Sequence, residues 1–124
     1  VLLLGIILLN LDLGAYAISL EEMDLDQKIG QMMCLDFRCW KSKESQSIEP
    51  VTEINDEIKE IIAKYHIGAV ILFRENFENE EQAKKLTNDL QKAAKDSGNP
   101  PLIIAVDQEG GLVERFSFFS NTPS

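Results

Sequence analysis

The sequence is short of the residues that most often carry chemistry. It has a single histidine, His66, and only two cysteines, Cys34 and Cys39. A pair of cysteines makes no disulfide framework, and no His or Cys partners stand at metal-ligand spacing, so no metal is expected. Basic charge is also scarce. There are 12 Lys and Arg against 21 Asp and Glu, for a formal charge of -9. A nucleic-acid or anionic-membrane partner would want a basic face, so neither is expected. The phosphate loop G-x-x-x-x-G-K-[ST] is absent, as are a dinucleotide G-x-G-x-x-G after a strand and a G-x-S-x-G nucleophile elbow. There is no internal repeat and no low-complexity tract. What remains is an acidic chain of 124 residues, 44% hydrophobic, enough for one modest core.

The longest apolar run lies at the front. Val1 to Leu9 is strongly apolar and is followed by Ala15-Tyr16-Ala17. This reads as a secretory signal over residues 1–17 with cleavage after Ala17, and hence as export rather than a cytoplasmic location. The run is too short for a comfortable transmembrane helix. A starting Met and a basic leading region are missing, so the chain is expected to be clipped at its front. A buried strand or helix is the alternative, and Asp12 counts in its favour.

Beyond this, helical and strand patterns alternate. Ser19-Leu20-Glu21-Glu22 fits a capping box, predicting a helix to about Lys28. Gln31 to Phe37 fits a first strand, with Cys34 packed inside it and Cys39 a partly exposed thiol. Whether the two pair stays open. Residues 38–50 are polar and irregular and read as a loop. Ile54, Ile58, Ile61, Ile62 and Tyr65 recur on one helical face, ended by Gly68 as C-cap. Ala69 to Phe73 is apolar throughout and reads as a strand buried on both faces. Asn79 caps a third helix with Gln82 at its third position, and Ala83, Leu86, Leu90 and Ala94 form the inner stripe. Gly98 and Pro100-Pro101 stop it, and Leu102 to Val106 is a third strand. Three helix/strand alternations imply an α/β fold with a parallel sheet, either a closed eight-stranded barrel or an open doubly wound sheet. Phe116, Phe118 and Phe119 follow with no helix to cover them, so the chain reads as the front part of a larger domain.

Each strand ends in polar residues: Asp36 and Arg38, then Arg74, Glu75 and Asn76, then Asp107, Gln108 and Glu109. Parallel strands present their carboxyl ends on one face, where ligands bind. Asp107 is the leading candidate, because it sits at a strand tip and Gly110-Gly111 leaves room beside it. A carboxylate merely capping the turn is the competing account. Asp36, Glu75 and Glu78 read as solvated loop charges. Asp107 and Glu109 project from one strand end and do not easily flank a scissile bond, as two glycosidase carboxylates must. His66 is expected to meet the last carbonyls of its helix. Trp40 reads as a loop anchor or a platform for a sugar ring. The charges at Glu57, Lys59 and Glu60 and at Lys84, Lys85 and Asp89 read as solvated helix faces.

The stretches "DQKIGQMM", "YHIGAVILFRENFEN", "LQKAA", "PPLIIAVDQEGG" and "VERF", in this order from about residue 20 to residue 124, resemble the N-terminal barrel domain of family-3 glycoside hydrolases. The "DQEGG" form is similar to the β-N-acetylhexosaminidase branch. The resemblance implies the first three strand/helix units of a (β/α)8 TIM-type barrel over residues 18–124. It implies retaining hydrolysis of terminal β-linked N-acetylglucosamine in cell-wall or chitin-type glycans, with a carbohydrate substrate as partner and no cofactor. Asp107 is implied to bind sugar hydroxyls, with Glu109, Gly110, Gly111, Arg115 and Arg74 as possible support. The family's nucleophile and acid/base histidine match nothing in residues 1–124, so no catalytic residue is expected here and the fragment alone is expected to be inactive. Leu112 stands where the family usually has an arginine, while Arg115 matches its second arginine. A non-catalytic carbohydrate-binding relative, a β-glucosidase-type member and a small ligand-binding module are the alternatives. The exact glycan and the oligomeric state are not specified by these residues.

Overall fold

A computed structural model of the chain describes residues 18–41, 46–109 and 115. The leader reading over residues 1–17, the Gly110-Gly111 pair, Leu112 and the Phe116–Phe119 cluster lie outside these described residues.

The elements run in the order α1 (Leu25–Gln31), β1 (Cys34–Asp36), β2 (Cys39–Lys41), β3 (Ile48–Pro50), α2 (Asp56–Tyr65), β4 (Ala69–Leu72), α3 (Glu80–Asp96) and β5 (Ile103–Val106). A single 3₁₀ turn, Arg74–Asn76, follows β4. Strands β1, β4 and β5 form a parallel sheet with β4 in the centre, and β2 and β3 form a separate antiparallel hairpin. The fold is thus mixed α/β around a parallel sheet, as the alternation predicts.

The two long helices form where the periodicity places them. Asn55 and Asn79 cap α2 and α3 by accepting from the backbone N–H of Ile58 and Gln82, each at 2.9 Å. The predicted stripe Ala83, Leu86, Leu90 and Ala94 is buried, together with Ile58 and Ile62 of α2 and Val70 and Leu72 of β4. Helices α2 and α3 pack against each other over this cluster. Each fully buried Ile or Leu stabilises by about 1.5–3 kcal/mol, so this layer sets the position of the central strand.

Several expectations are corrected. The first helix begins at Leu25, not after Ser19, because Asp24 and Gln27 form the working capping box. The Glu22 carboxylate does accept from the Ser19 N–H at 2.9 Å, but it closes only a turn. Residues 38–50 are not all loop, since Cys39 pairs with Pro50 and Lys41 with Ile48 in the hairpin. The cap of α2 is His66 in the left-handed region (φ 52°), not Gly68. Gly68 is required for another reason: a Cβ there would stand 2.2 Å from the Gln31 carbonyl oxygen. The strand from Ala69 alternates half-buried and buried residues and is not buried on both faces. Cys34 is exposed rather than packed, and both cysteines are free thiols.

Candidate functional site

The sheet register builds the site. Asp36 stands opposite Ile71, and Leu72 opposite Val106. Continued past the last pairs, this register carries Arg38, Phe73 and Asp107 to one level at the carboxyl end of the sheet. The side chains of Arg38 and Phe73 meet there, joined by that of Arg115. The Arg38 guanidinium lies over the Phe73 ring at 3.6 Å from its centre, and the Arg115 guanidinium lies over the same ring at 5.8 Å.

Asp107 is held by Arg115 through both carboxylate oxygens. Nε donates to Oδ1 at 2.7 Å and Nη2 to Oδ2 at 2.6 Å. The Arg115 backbone N–H donates to the Gln108 side-chain oxygen at 2.8 Å, fixing the same segment from behind. A two-pronged guanidinium–carboxylate pair is among the stronger and more directional polar contacts available to side chains. Its physical effect is to hold the Asp107 carboxyl below the usual carboxylate range, opposed in part by burial and assisted by the charges of Arg115 and Arg38. Arg115 is correspondingly pushed up by Asp107, with Glu75 and Glu109 adding to its field. The pair keeps solvent access: the Asp107 side chain is 34% exposed and that of Arg115 26%. Asp107 is therefore ionised, fixed and reachable. Each carboxylate oxygen has two acceptor directions, so one edge engaged by arginine leaves further acceptor capacity for hydroxyl donors.

Asn76 ties the rim together from below. It is fully buried; its amide nitrogen donates to the carbonyls of Phe37 at 3.2 Å and Val51 at 2.9 Å, and its oxygen accepts from the Phe73 N–H at 2.9 Å. One side chain thus joins the ends of β1 and β4 to the segment after β3. An Asn shortly past a strand end is a residue type that closes turns. Its reach to Phe37 and Val51 is non-local and has no sequence signal. Phe73 was likewise legible only as the last apolar residue of a strand.

The remaining candidates divide. Asp36 caps its own neighbour through the Arg38 N–H and faces the Arg38 guanidinium at 3.7 Å. Arg74, Glu75 and Glu109 are exposed at the rim. His66 does not reach this site; its Nδ1 lies 2.8 Å from the Asn99 side-chain oxygen, while the Asn99 amide donates to the Ile62 carbonyl. Trp40 is an anchor, with Nε1 donating to Glu57 at 2.8 Å and its ring edge-on to Phe37. That contact takes Glu57 out of the solvated helix face predicted for it. Lys84 and Lys85 do lie on an exposed face, paired with Glu80, Asp89 and Glu53. Among the described residues, no three His, Cys, Asp or Glu side chains come together as a metal site, and no helix is long and apolar enough to cross a membrane.

An α/β protein with strand-end polar residues gathered around a fixed carboxylate is the class that fold and site define. The sequence of residues 24–124 matches the family model described as the glycosyl hydrolase family 3 N terminal domain. The chain is 45% identical over 96 residues to the beta-hexosaminidase A of Pseudoalteromonas piscicida, covering 73% of this chain and 16% of that protein. It is 45% identical over 64 residues to a beta-hexosaminidase of Photobacterium profundum, covering 52% of this chain and 18% of that protein. Its backbone is similar to that of a glycoside hydrolase family 3 beta-N-acetylglucosaminidase from Paenibacillus sp. str. FPU-7, with a TM-score of 0.63 and 35% identity, over 75% of this chain and 15% of that one. The chain belongs to glycosyl hydrolase family 3, within its N-terminal domain. It spans less than a fifth of the length of these relatives.

Proposed function

We propose that this chain is the first part of an exported glycoside hydrolase that removes terminal β-linked N-acetylglucosamine from glycans by a retaining mechanism. On this reading, residues 18–124 are the first three strand/helix units of a (β/α)8 barrel, and the sheet β1-β4-β5 is one arc of its wall. The nucleophile and the general acid/base come from the rest of the longer protein. Asp107 holds the sugar in the subsite beside the bond that is cut.

The observation that carries the reading is the state of Asp107: ionised, gripped by Arg115 on both oxygens, and one-third open to solvent at the carboxyl end of a parallel sheet. Charged hydrogen bonds from sugar hydroxyls to such a carboxylate are stronger than neutral ones. They fix the ring and support its distortion toward the oxocarbenium-like transition state. The similar proteins, two beta-hexosaminidases and a beta-N-acetylglucosaminidase, supply the choice of sugar. The acidic balance of the chain agrees with a neutral glycan rather than a polyanion as substrate.

The test is a comparison of aryl glycosides with the full-length protein. Release of the aryl alcohol from the β-N-acetylglucosaminide, well above that from the β-glucoside, is expected. Preference for the glucoside moves the protein to the other branch of the family, and no turnover of either makes it a non-catalytic relative.

A further inference from the structure

Arg38 stands at the rim as a strand-end charge to which the family resemblance assigns no role. Its surroundings are more specific than those of a surface arginine. Its guanidinium lies over Phe73 at 3.6 Å, the ring that also lies beneath Arg115. Its Nε is buried and has no hydrogen-bond partner, so the side chain is not held there by a hydrogen bond at that atom. Its backbone is fixed on three sides. The Arg38 N–H donates to Asp36, and its carbonyl accepts from the Val51 N–H at 3.1 Å and from Asn76 at 3.4 Å. The hairpin that begins at Cys39 follows at once, so the orientation of Arg38 is set by both the sheet and the hairpin.

We infer that Arg38 is a positioning residue for the substrate-binding carboxylate: stacked on Phe73, it fixes the ring against which Arg115 clamps Asp107. The inference rests on the reading of Asp107 as the sugar binder. A cation over an aromatic face is attracted by the ring quadrupole, and the two guanidinium groups over this ring then hold it together. Neither arginine alone does this. Arg115 points its hydrogen-bonding edge at Asp107 and lies farther from the ring, whereas Arg38 makes the closer ring contact. The field of Arg38 also reaches Asp107 and favours its ionised form.

The experiment is a double-mutant cycle in the full-length enzyme, read as kcat/KM on an aryl β-N-acetylglucosaminide. Arg38→Met keeps much of the stem and removes the cation. It is expected to lower kcat/KM by about 5- to 30-fold, the scale of a partly desolvated cation–π contact. Arg38→Lys keeps a cation over the ring and is expected to recover most of the loss. In an Asp107→Asn background, Arg38→Met is expected to cost less than about twofold, because the residue acts through the clamp that is already broken. Equal losses in both backgrounds, or wild-type kinetics in Arg38→Met, overturn the inference. If Arg38→Met does not fold, Phe73→Leu replaces it in the same cycle with the same expectations. A wild-type enzyme that turns over no aryl N-acetylglucosaminide refutes the functional reading itself, a different outcome from additivity in an active enzyme.

Discussion

Asp107 and Arg115 stand eight residues apart in sequence and share a two-pronged ion pair at the end of β5, with contacts of 2.7 and 2.6 Å. The pair makes the difference between a loop charge and a site. It lowers the freedom of the carboxylate and keeps it ionised, yet leaves it open on its outer side.

The first prediction concerns Arg115. Arg115→Met frees Asp107 to rotate and removes its counter-charge. With a full-length enzyme, kcat/KM on an aryl β-N-acetylglucosaminide is expected to fall by roughly 10- to 100-fold, the scale of one or two charged hydrogen bonds. Arg115→Lys, a single-pronged donor, is expected to restore only part of it.

The pH dependence has a definite sign. The folded pKa of Asp107 is below its ordinary value of 3.8, so the unfolded chain binds the proton more readily. The stabilising contribution of the ion pair is fully present above about pH 5 and is lost as pH falls through the folded pKa. The stability difference between wild type and Asp107→Asn is therefore expected to be constant from about pH 5 to 7 and to shrink toward pH 3. Denaturant titrations at these pH values measure it, and a difference that grows on acidification contradicts the assignment.

Asn76 is the residue whose loss is expected to damage the rim most. Asn76→Ala leaves buried carbonyls of Phe37 and Val51 and the Phe73 N–H without their partner. A cost of about 2–4 kcal/mol in unfolding free energy follows from unsatisfied buried groups, with Asn76→Asp as a control that keeps the acceptor. Urea unfolding of the full-length protein reads this out.

The close contact of α1 with the end of α2 and with Gly68, just before β4, gives a further prediction. A Cβ on Gly30 would stand 2.0 Å from the Tyr65 carbonyl oxygen, and one on Gly68 2.2 Å from that of Gln31. Backbone atoms cannot yield as side-chain tips do, so Gly30→Ala and Gly68→Ala are each expected to destabilise by about 1–3 kcal/mol or more. Near-wild-type melting of both variants counts against this packing.

What was readable in the sequence was what is local and periodic. The apolar spacing of Ile58, Ile62, Leu86 and Leu90 marks α2 and α3 because a helix returns the same face to the core each turn. Asn79 with Gln82 marks a helix start because the cap bond spans three residues. Asp107 was legible as a carboxylate directly after an apolar run, and Arg115 through the family pattern. The hairpin was not legible, since Cys39–Lys41 and Ile48–Pro50 are short and carry no two-residue turn signal between them. The start of α1 was misplaced because Ser19 with Glu22 and Asp24 with Gln27 both satisfy the same local rule, and only one continues into a helix. The stack of Arg38 on Phe73 joins residues that follow different strands. Only the sheet register brings them together, and that register depends on long-range packing.

The central claim is that Asp107 binds the substrate sugar. It is tested most directly by Asp107→Asn in the full-length protein, with kcat/KM on an aryl β-N-acetylglucosaminide measured beside the melting temperature. Asparagine keeps the shape but loses the charge, so a fall of roughly two orders of magnitude is predicted in a protein that still folds, its melting temperature lowered only by the loss of the partly exposed ion pair. Wild-type kinetics in a folded Asp107→Asn enzyme contradicts the claim and removes Asp107 from the site.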